Sequence, residues 1–214
     1  MRRTFILIGI ALLVMFALFS REVKRGVMRQ ADFDVTVRLQ DKIPSRFDEL
    51  MDDGAILADG VVSSVIVLGI TVWGLVMKKG IRRKAGVLML PLAFVALTAI
   101  EIYGKNVLPH PGPPFFMIKR PTTIFPKFHV VQPYAYPSGH AARSTFLAIM
   151  FVSLVTYRLS QKRERRRWWL IGGIAGYVVF VYVSRIYLGH HWLSDIVGGA
   201  LLGGGLGILT VGFL

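Results

Sequence analysis

The sequence predicts an all-α integral membrane protein, a bundle of six transmembrane helices with a short amphipathic surface segment between the first two. Apolar residues make up 54% of the 214-residue chain, and its mean hydropathy is +0.56, which is typical of membrane proteins. Six apolar runs also approach the roughly 20 residues that a helix needs to cross a bilayer. We therefore expect residues 1–214 to form a single membrane domain.

The apolar runs give the boundaries of the predicted spans. The first run follows Met-Arg-Arg and resembles a signal peptide, but no small-x-small cleavage pattern ends it, so we expect a retained anchor. Interior glycines of the last two runs predict close helix packing, namely Gly172, Gly173 and Gly176, then Gly198, Gly199 and Gly203 to Gly205. The spans are expected at about 4–19, 58–77, 85–103, 141–157, 168–187 and 196–214.

The polar stretch 21–53 separates the first two spans. It contains seven Lys or Arg and eight Asp or Glu, so it cannot cross a membrane. Its apolar residues alternate over 33–39 and follow helical spacing over 43–51, and we interpret the stretch as a short amphipathic segment on the membrane surface. A solvated connector is the alternative.

Positive charge predicts the topology. The short connections 78–84 and 158–167 contain five and six positive residues, so both are expected in the cytoplasm. Both termini then lie in the cytoplasm of this multi-pass cell-membrane protein, and loops 21–53 and 105–137 lie outside. The net charge of +14 is accordingly expected to face anionic lipid headgroups and not nucleic acid. The chain has no cysteine, which excludes disulfides and thiolate chemistry.

A string of ionisable residues joins the last two spans, where such residues are costly unless they serve a site. It contains Ser184, Arg185, His190, His191 and Asp195. If the sixth helix starts near His191, the carboxylate four residues later lies on the same face and accepts a hydrogen bond from the imidazole. The second ring nitrogen then becomes the better base or nucleophile.

A second string, Pro137 to His140 followed by Arg143, precedes the fourth span. Ser138 is expected to cap the helix, and the amides after it form an anion site. His140 and Arg143 share a helix face, so a proton carrier and a guanidinium converge there.

The two strings resemble the second and third signatures of the type 2 phosphatidic acid phosphatase family. Pro-Ser-Gly-His is matched in full at 137–140, and Ser-Arg, five residues, His, three residues, Asp is matched in full at 184–195. The first signature, Lys, six residues, Arg-Pro, is matched in part. From Lys105 the expected Arg-Pro falls on Gly112-Pro113, and Arg120 lies eight residues further on. Either Arg120 or Arg143 is expected to replace the missing guanidinium.

The resemblance implies a six-helix membrane phosphatase acting on a lipid phosphate or diphosphate. It implies that His191 forms a phosphohistidine while Asp195 holds its ring, and that His140 protonates the leaving oxygen and then activates water. It assigns the phosphoryl oxygens to Lys105, Arg185, Arg120 or Arg143, Ser138 and the Gly139 amide, with no metal or other cofactor. The implied partners are the bilayer and a substrate such as undecaprenyl diphosphate, phosphatidylglycerophosphate or phosphatidate, and no feature predicts oligomeric state.

Two other functions remain open. The enzyme could pass the phosphoryl group to an acceptor lipid, or the chain could bind or transport lipids without chemistry. A zinc site formed by His140, His191 and Asp195 is disfavoured by the surrounding cationic residues. The remaining histidines are expected to serve packing or headgroup contact, and Glu101 is expected to pair with Lys105 four residues on. Those histidines are His110, His129 and His190.

Overall fold

The structure is a computed structural model that describes residues 2–77, 80–120, 133–158 and 164–214, apart from the side chains at 82, 83, 157, 158 and 164. In this part of the chain the secondary structure is helical throughout. Short 3₁₀ turns lie at 45–47, 56–58 and 115–117. The α-helices are α1 (Arg2–Lys24), α2 (Arg29–Lys42), α3 (Asp48–Asp53), α4 (Gly60–Met77), α5 (Ile81–Val107), α6 (Gly139–Arg158), α7 (Glu164–Tyr187) and α8 (Leu193–Phe213).

Six of these helices, α1 and α4 to α8, are long and apolar enough to cross a membrane. The all-α class and the six expected spans are therefore confirmed. Most helices extend beyond the apolar runs that predicted them: α1 continues to Lys24 and α5 to Val107. Helical hydrogen bonding within the backbone continues through the polar residues at the ends of a span, where the side chains reach the headgroup level.

Helix α8 lies at the centre of the bundle, in contact with α1, α5, α6 and α7. Its glycines permit close packing, as expected: a Cβ on Gly203 would lie 2.1 Å from the carbonyl oxygen of Ala142. The prediction is wrong for α7. A Cβ on Gly172, Gly173 or Gly176 would meet no described atom within 4 Å. This face of α7 is open, and Gly173 lines a groove there.

The 21–53 stretch folds into α2 and α3, which pack against the span helices. Helix α2 contacts α7 and α8, and α3 contacts α7. Asp32 and Thr36 of α2 are buried, while Phe33 and Val37 are exposed. The connector interpretation is therefore wrong, because a solvated connector would not bury a carboxylate. Contact of the exposed apolar residues with a membrane stays a prediction.

The alternating spans bring the sequence strings to one end of the bundle. Ser138, before α6, donates its backbone N–H to the carbonyl oxygen of Asp195 in the first turn of α8 at 3.0 Å. At the opposite end the chain termini approach each other, with the Arg2 guanidinium 5.1 Å from the centre of the Phe213 ring. Arg2 and Phe213 thus lie at the end opposite the strings, and the side of the membrane that each end faces stays a prediction.

Candidate active site

His191 and Asp195 form the centre of the site. Nδ1 of His191 lies 3.3 Å from Oδ2 of Asp195, and the same oxygen accepts the Trp192 backbone N–H at 2.9 Å. Helix α8 begins at Leu193 with Trp192 as its N-cap, which agrees with the expected start near His191, and the capping contact of Asp195 helps to hold the pair. With Nδ1 turned to the carboxylate, Nε2 is the nitrogen available for chemistry.

The second string forms the start of α6. Oγ of Ser138 accepts the Ala141 N–H at 3.4 Å, which agrees with the expected cap. Two residues on, Nε2 of His140 is buried and has no hydrogen-bond partner among the described residues. A buried polar atom without a partner is costly, so this nitrogen points to a group that binds or reacts there.

Positive side chains surround His191. Burial lowers the pKa of His191 well below its usual value, and the charges of Lys105, Arg185 and Arg143 lower it further, whereas Glu101 opposes them. The imidazole is therefore neutral near pH 7, which is the form that a nucleophile requires. The structure thus brings three of the predicted phosphate-binding cations around the predicted nucleophile.

Glu101 links two of those cations. Its Oε1 lies 2.9 Å from Nζ of Lys105, which confirms the expected pair. Its Oε2 accepts a hydrogen bond from Nη1 of Arg143 at 2.6 Å, and Nε of Arg143 donates to the Ala58 carbonyl at 2.9 Å. Neither contact of Arg143 was predicted from the sequence, because no helical spacing connects residues this far apart in the chain. The carboxylate also lies against Gly139, where a Cβ would be 2.0 Å from Oε1.

Arg185 is fully buried and tethered to α3. Its Nη2 donates to the Met51 carbonyl at 2.9 Å and approaches Oδ1 of Asp52 at 3.3 Å. Its Nη1 donates to Nδ1 of His190 at 3.2 Å. The contacts with α3 could not be predicted from the sequence, since they join residues more than 130 positions apart.

His190 connects Arg185 to the loop that precedes the second string. Its Nε2 donates to the Arg120 carbonyl at 2.7 Å, and the Lys119 N–H donates to the Leu188 carbonyl at 3.1 Å. Burial lowers the pKa of His190 to about 4. The packing role expected for His190 is therefore incomplete, because His190 also makes two hydrogen bonds. Arg120 contacts this histidine through its backbone carbonyl. His129, given a similar role, lies outside the described residues.

A groove of about 500 Å³ begins beside the site. Ser144 and Leu57 line it. Ser144 directly follows Arg143 in the chain, and Leu57 directly precedes Ala58, whose carbonyl binds Arg143. The rest of the lining is almost wholly apolar and comes mainly from α6 and α7, including Leu147, Phe151, Trp169, Gly173 and Ile174.

Comparison with known proteins gives matches in sequence and in fold. The PAP2 superfamily model matches residues 84–214. The chain is 32% identical over 130 residues, 60% of its length, to an undecaprenyl-diphosphatase of Sulfolobus acidocaldarius. It is 31% identical over 81 residues, 37% of its length, to phosphatidylglycerophosphatase B of Bacillus subtilis. The matched segments span 55% and 39% of those relatives.

A solved structure has the same fold. The crystal structure of a transmembrane PAP2 type phosphatidylglycerolphosphate phosphatase from Bacillus subtilis gives a TM-score of 0.71 at 18% identity, covering 96% of this chain and 94% of that chain. Together with the six long apolar helices, this makes the protein a multi-pass membrane protein.

Proposed function

The chain belongs to the PAP2 superfamily, and from this membership and the geometry of the site we propose that it is a membrane phosphatase acting on a lipid phosphate or diphosphate. The relatives named as undecaprenyl-diphosphatase and phosphatidylglycerophosphatase B support substrates of the undecaprenyl diphosphate, phosphatidylglycerophosphate or phosphatidate type. The observation that carries the proposal is the His191–Asp195 pair, 3.3 Å apart, within a group of cations.

We propose a two-step transfer. Nε2 of His191 attacks phosphorus in line, the bond from phosphorus to the lipid oxygen breaks, and His140 gives that oxygen a proton. His140 then takes a proton from water, whose oxygen attacks the phosphohistidine and releases inorganic phosphate and neutral His191. Asp195 keeps the ring oriented and offsets the positive charge that the ring acquires.

The phosphoryl charge is balanced by side chains of this chain. Lys105 and Arg143 exchange Glu101 for phosphoryl oxygens when substrate binds. Ser138 and the Gly139 amide, at the start of α6, add hydrogen-bond donors. One Nη1 hydrogen of Arg185 is donated to His190, and the second Nη1 hydrogen is donated to a phosphoryl oxygen. Arg120 supplies a further guanidinium from the adjoining loop. Because these cations supply the charge stabilisation and repel metal ions, the reaction is metal-independent.

The groove beside the site accommodates the hydrocarbon chain of the substrate. Its lining is apolar, and it begins next to Arg143, so a lipid whose phosphate lies at His191 extends directly into it. Orientation follows from the positive connections: they and both termini face the cytoplasm, and the site faces the extracytoplasmic side.

Phosphate release from undecaprenyl diphosphate, phosphatidylglycerophosphate and phosphatidate, each in detergent with the purified protein, tests the proposal. Release of inorganic phosphate without an acceptor supports hydrolysis, and strict dependence on an acceptor lipid supports a phosphotransferase. The His191→Ala variant is expected to be folded and inactive. Equal activity of wild type and variant, or no activity of the wild type on any of the lipids, contradicts the phosphatase proposal. Activity that is lost in EDTA and restored by a divalent ion contradicts metal independence.

A further inference from the structure

A buried polar cluster lies behind Asp195, on the side away from His191. It consists of Asp32 from α2, His110 from the loop after α5, and Ser194 from the first turn of α8. Asp32 is 2% exposed, His110 6% and Ser194 0%. Burying a carboxylate and an imidazole is costly unless they are paired, so the partners of each group indicate what the cluster does.

Asp32 fixes Ser194 with both of its oxygens. Oδ1 accepts the Ser194 backbone N–H at 2.8 Å, and Oδ2 accepts the Ser194 hydroxyl proton at 2.8 Å. A hydroxyl has one proton to donate. Oγ of Ser194 is therefore an acceptor towards Nε2 of His110, which lies 3.0 Å away. The proton of His110 accordingly lies on Nε2.

The same Nε2 faces Asp195. It lies 3.5 Å from Oδ1 of Asp195, an oxygen that is buried and has no hydrogen-bond partner among the described residues. The second oxygen, Oδ2, is directed to His191. The ring of Tyr136 packs edge-on against His110 with centroids 6.3 Å apart, which restricts rotation of the imidazole.

We propose that His110 is a positioning residue for phosphoryl transfer: its Nε2–H, held by Ser194 and Asp32, faces the rear oxygen of Asp195 at 3.5 Å and attracts it electrostatically, so that the front oxygen stays on Nδ1 of His191. This inference rests on the proposed roles of His191 and Asp195. It also gives α2 a function in catalysis, because Asp32 belongs to that helix. Asp32 lies outside residues 84–214, the range that the superfamily model matches.

Paired substitutions test the inference with farnesyl diphosphate and dioctanoyl phosphatidate as probes in detergent. His110→Leu removes the N–H and is expected to lower kcat about 10–100-fold, by analogy with the loss of groups that orient metal ligands, with KM within about twofold. His110→Gln retains an N–H donor and is expected to keep kcat within about fivefold. In Asp32→Asn the side-chain amide donates to Oγ of Ser194, where the carboxylate accepted. The Ser194 hydroxyl then donates to His110, which reverses that hydrogen bond, and the variant is expected to resemble His110→Leu.

The outcomes separate this inference from the proposed function. An inactive His191→Ala variant together with wild-type kcat in His110→Leu overturns the inference alone. An active His191→Ala variant overturns the proposed function. Equal loss of kcat in His110→Leu and His110→Gln, with equally lowered thermal stability, also overturns the inference, because it shows a merely structural role.

The ring tautomer of His191 is a readout that needs no activity. In ¹⁵N-histidine spectra of the protein in detergent, the His191 signals are identified by their loss in His191→Ala. Wild type and His110→Gln are expected to show the Nδ1–H tautomer, and His110→Leu is expected to lose that preference. An unchanged His191 spectrum in His110→Leu overturns the inference.

Discussion

Glu101 and Arg143 meet in a 2.6 Å ion pair between Oε2 and Nη1, across 42 residues of sequence. Both are buried, and they join α5 to α6 directly beside the candidate nucleophile. Since the same carboxylate also binds Lys105, one acidic side chain organises two of the proposed phosphate-binding cations.

Glu101→Gln is expected to destabilise the protein by about 3–5 kcal/mol, the cost of leaving a buried charge without its partner. Glu22→Gln is the matched control, because Glu22 and Arg25 form an ion pair with side chains 43% and 53% exposed and such pairs contribute at most about 1 kcal/mol. SDS-induced unfolding from mild detergent measures both. Equal stability of the two variants would contradict the importance of the buried pair.

Gly139→Ala is expected to abolish most activity, because the new Cβ would lie 2.0 Å from Oε1 of Glu101. The displaced carboxylate would no longer position Lys105 and Arg143 for the incoming phosphoryl group. Gly60→Ala is the control: Gly60 is likewise the first residue of a long helix, and its Cβ would meet no described atom within 4 Å. Phosphate release is the measurement. Equal loss of activity in both variants would point to a helix-start effect and not to displacement of Glu101.

The acid limb of kcat/KM is expected below pH 6.5. His191 attacks as the neutral imidazole, and its pKa is lowered by burial and then by Lys105, so the neutral form is complete above pH 6.5 and is lost only as pH falls through the lowered pKa. Lys105→Met raises this pKa and moves the limb to higher pH. Lys24 is exposed, so Lys24→Met is the control, and the acid limb of its pH profile is expected to stay where it is in the wild type. Because substrate ionisation is common to all variants, an unmoved limb in Lys105→Met would refute the assignment.

His190→Leu is expected to raise KM about 10-fold, since Arg185 loses a hydrogen bond worth about 1.5 kcal/mol or more. His190→Asn offers an oxygen near the position of Nδ1 and is expected to keep KM within about twofold. With a pKa of about 4, His190 accepts from Arg185 throughout the neutral range and does so fully above pH 5. Initial rates at pH 7 are compared, and equal KM values for both variants would show that Nδ1 does not orient Arg185.

Gly173→Leu is expected to fill part of the groove beside α7 and to raise KM for a long-chain phosphatidate several-fold, while KM for a dibutyryl substrate stays unchanged. Gly69→Leu is the control, because Gly69 is a span glycine with equally open surroundings that does not line the groove. Kinetics with both chain lengths are the measurement. An equal effect of Gly173→Leu on both substrates would exclude the groove as the site of the lipid chain.

The spans and the His191–Asp195 pair could be predicted from the sequence because both depend on neighbours along the chain. Hydropathy is summed over adjacent residues, and the pair is four residues apart. Asp32 could not be predicted in the same way. Its partner Ser194 is 162 residues distant, and a carboxylate in a highly charged stretch is expected to be solvated. The role of Arg143 in the site stays a prediction, and its partners Glu101 and Ala58 could not be predicted because they lie on separate elements.

The packing of α2 and α3 against the bundle limits how these helices can be exchanged between members of the superfamily. Asp32 binds Ser194, Asp52 approaches Arg185 and Ala58 binds Arg143, and each of the first-named residues precedes the 84–214 range shared with the superfamily. The part of the chain that the superfamily model matches is thus joined by three contacts to residues that precede it. A chimera that combines residues 1–83 of this chain with the C-terminal part of another member has to preserve all three contacts together, because each involves a different helix of the matched range 84–214.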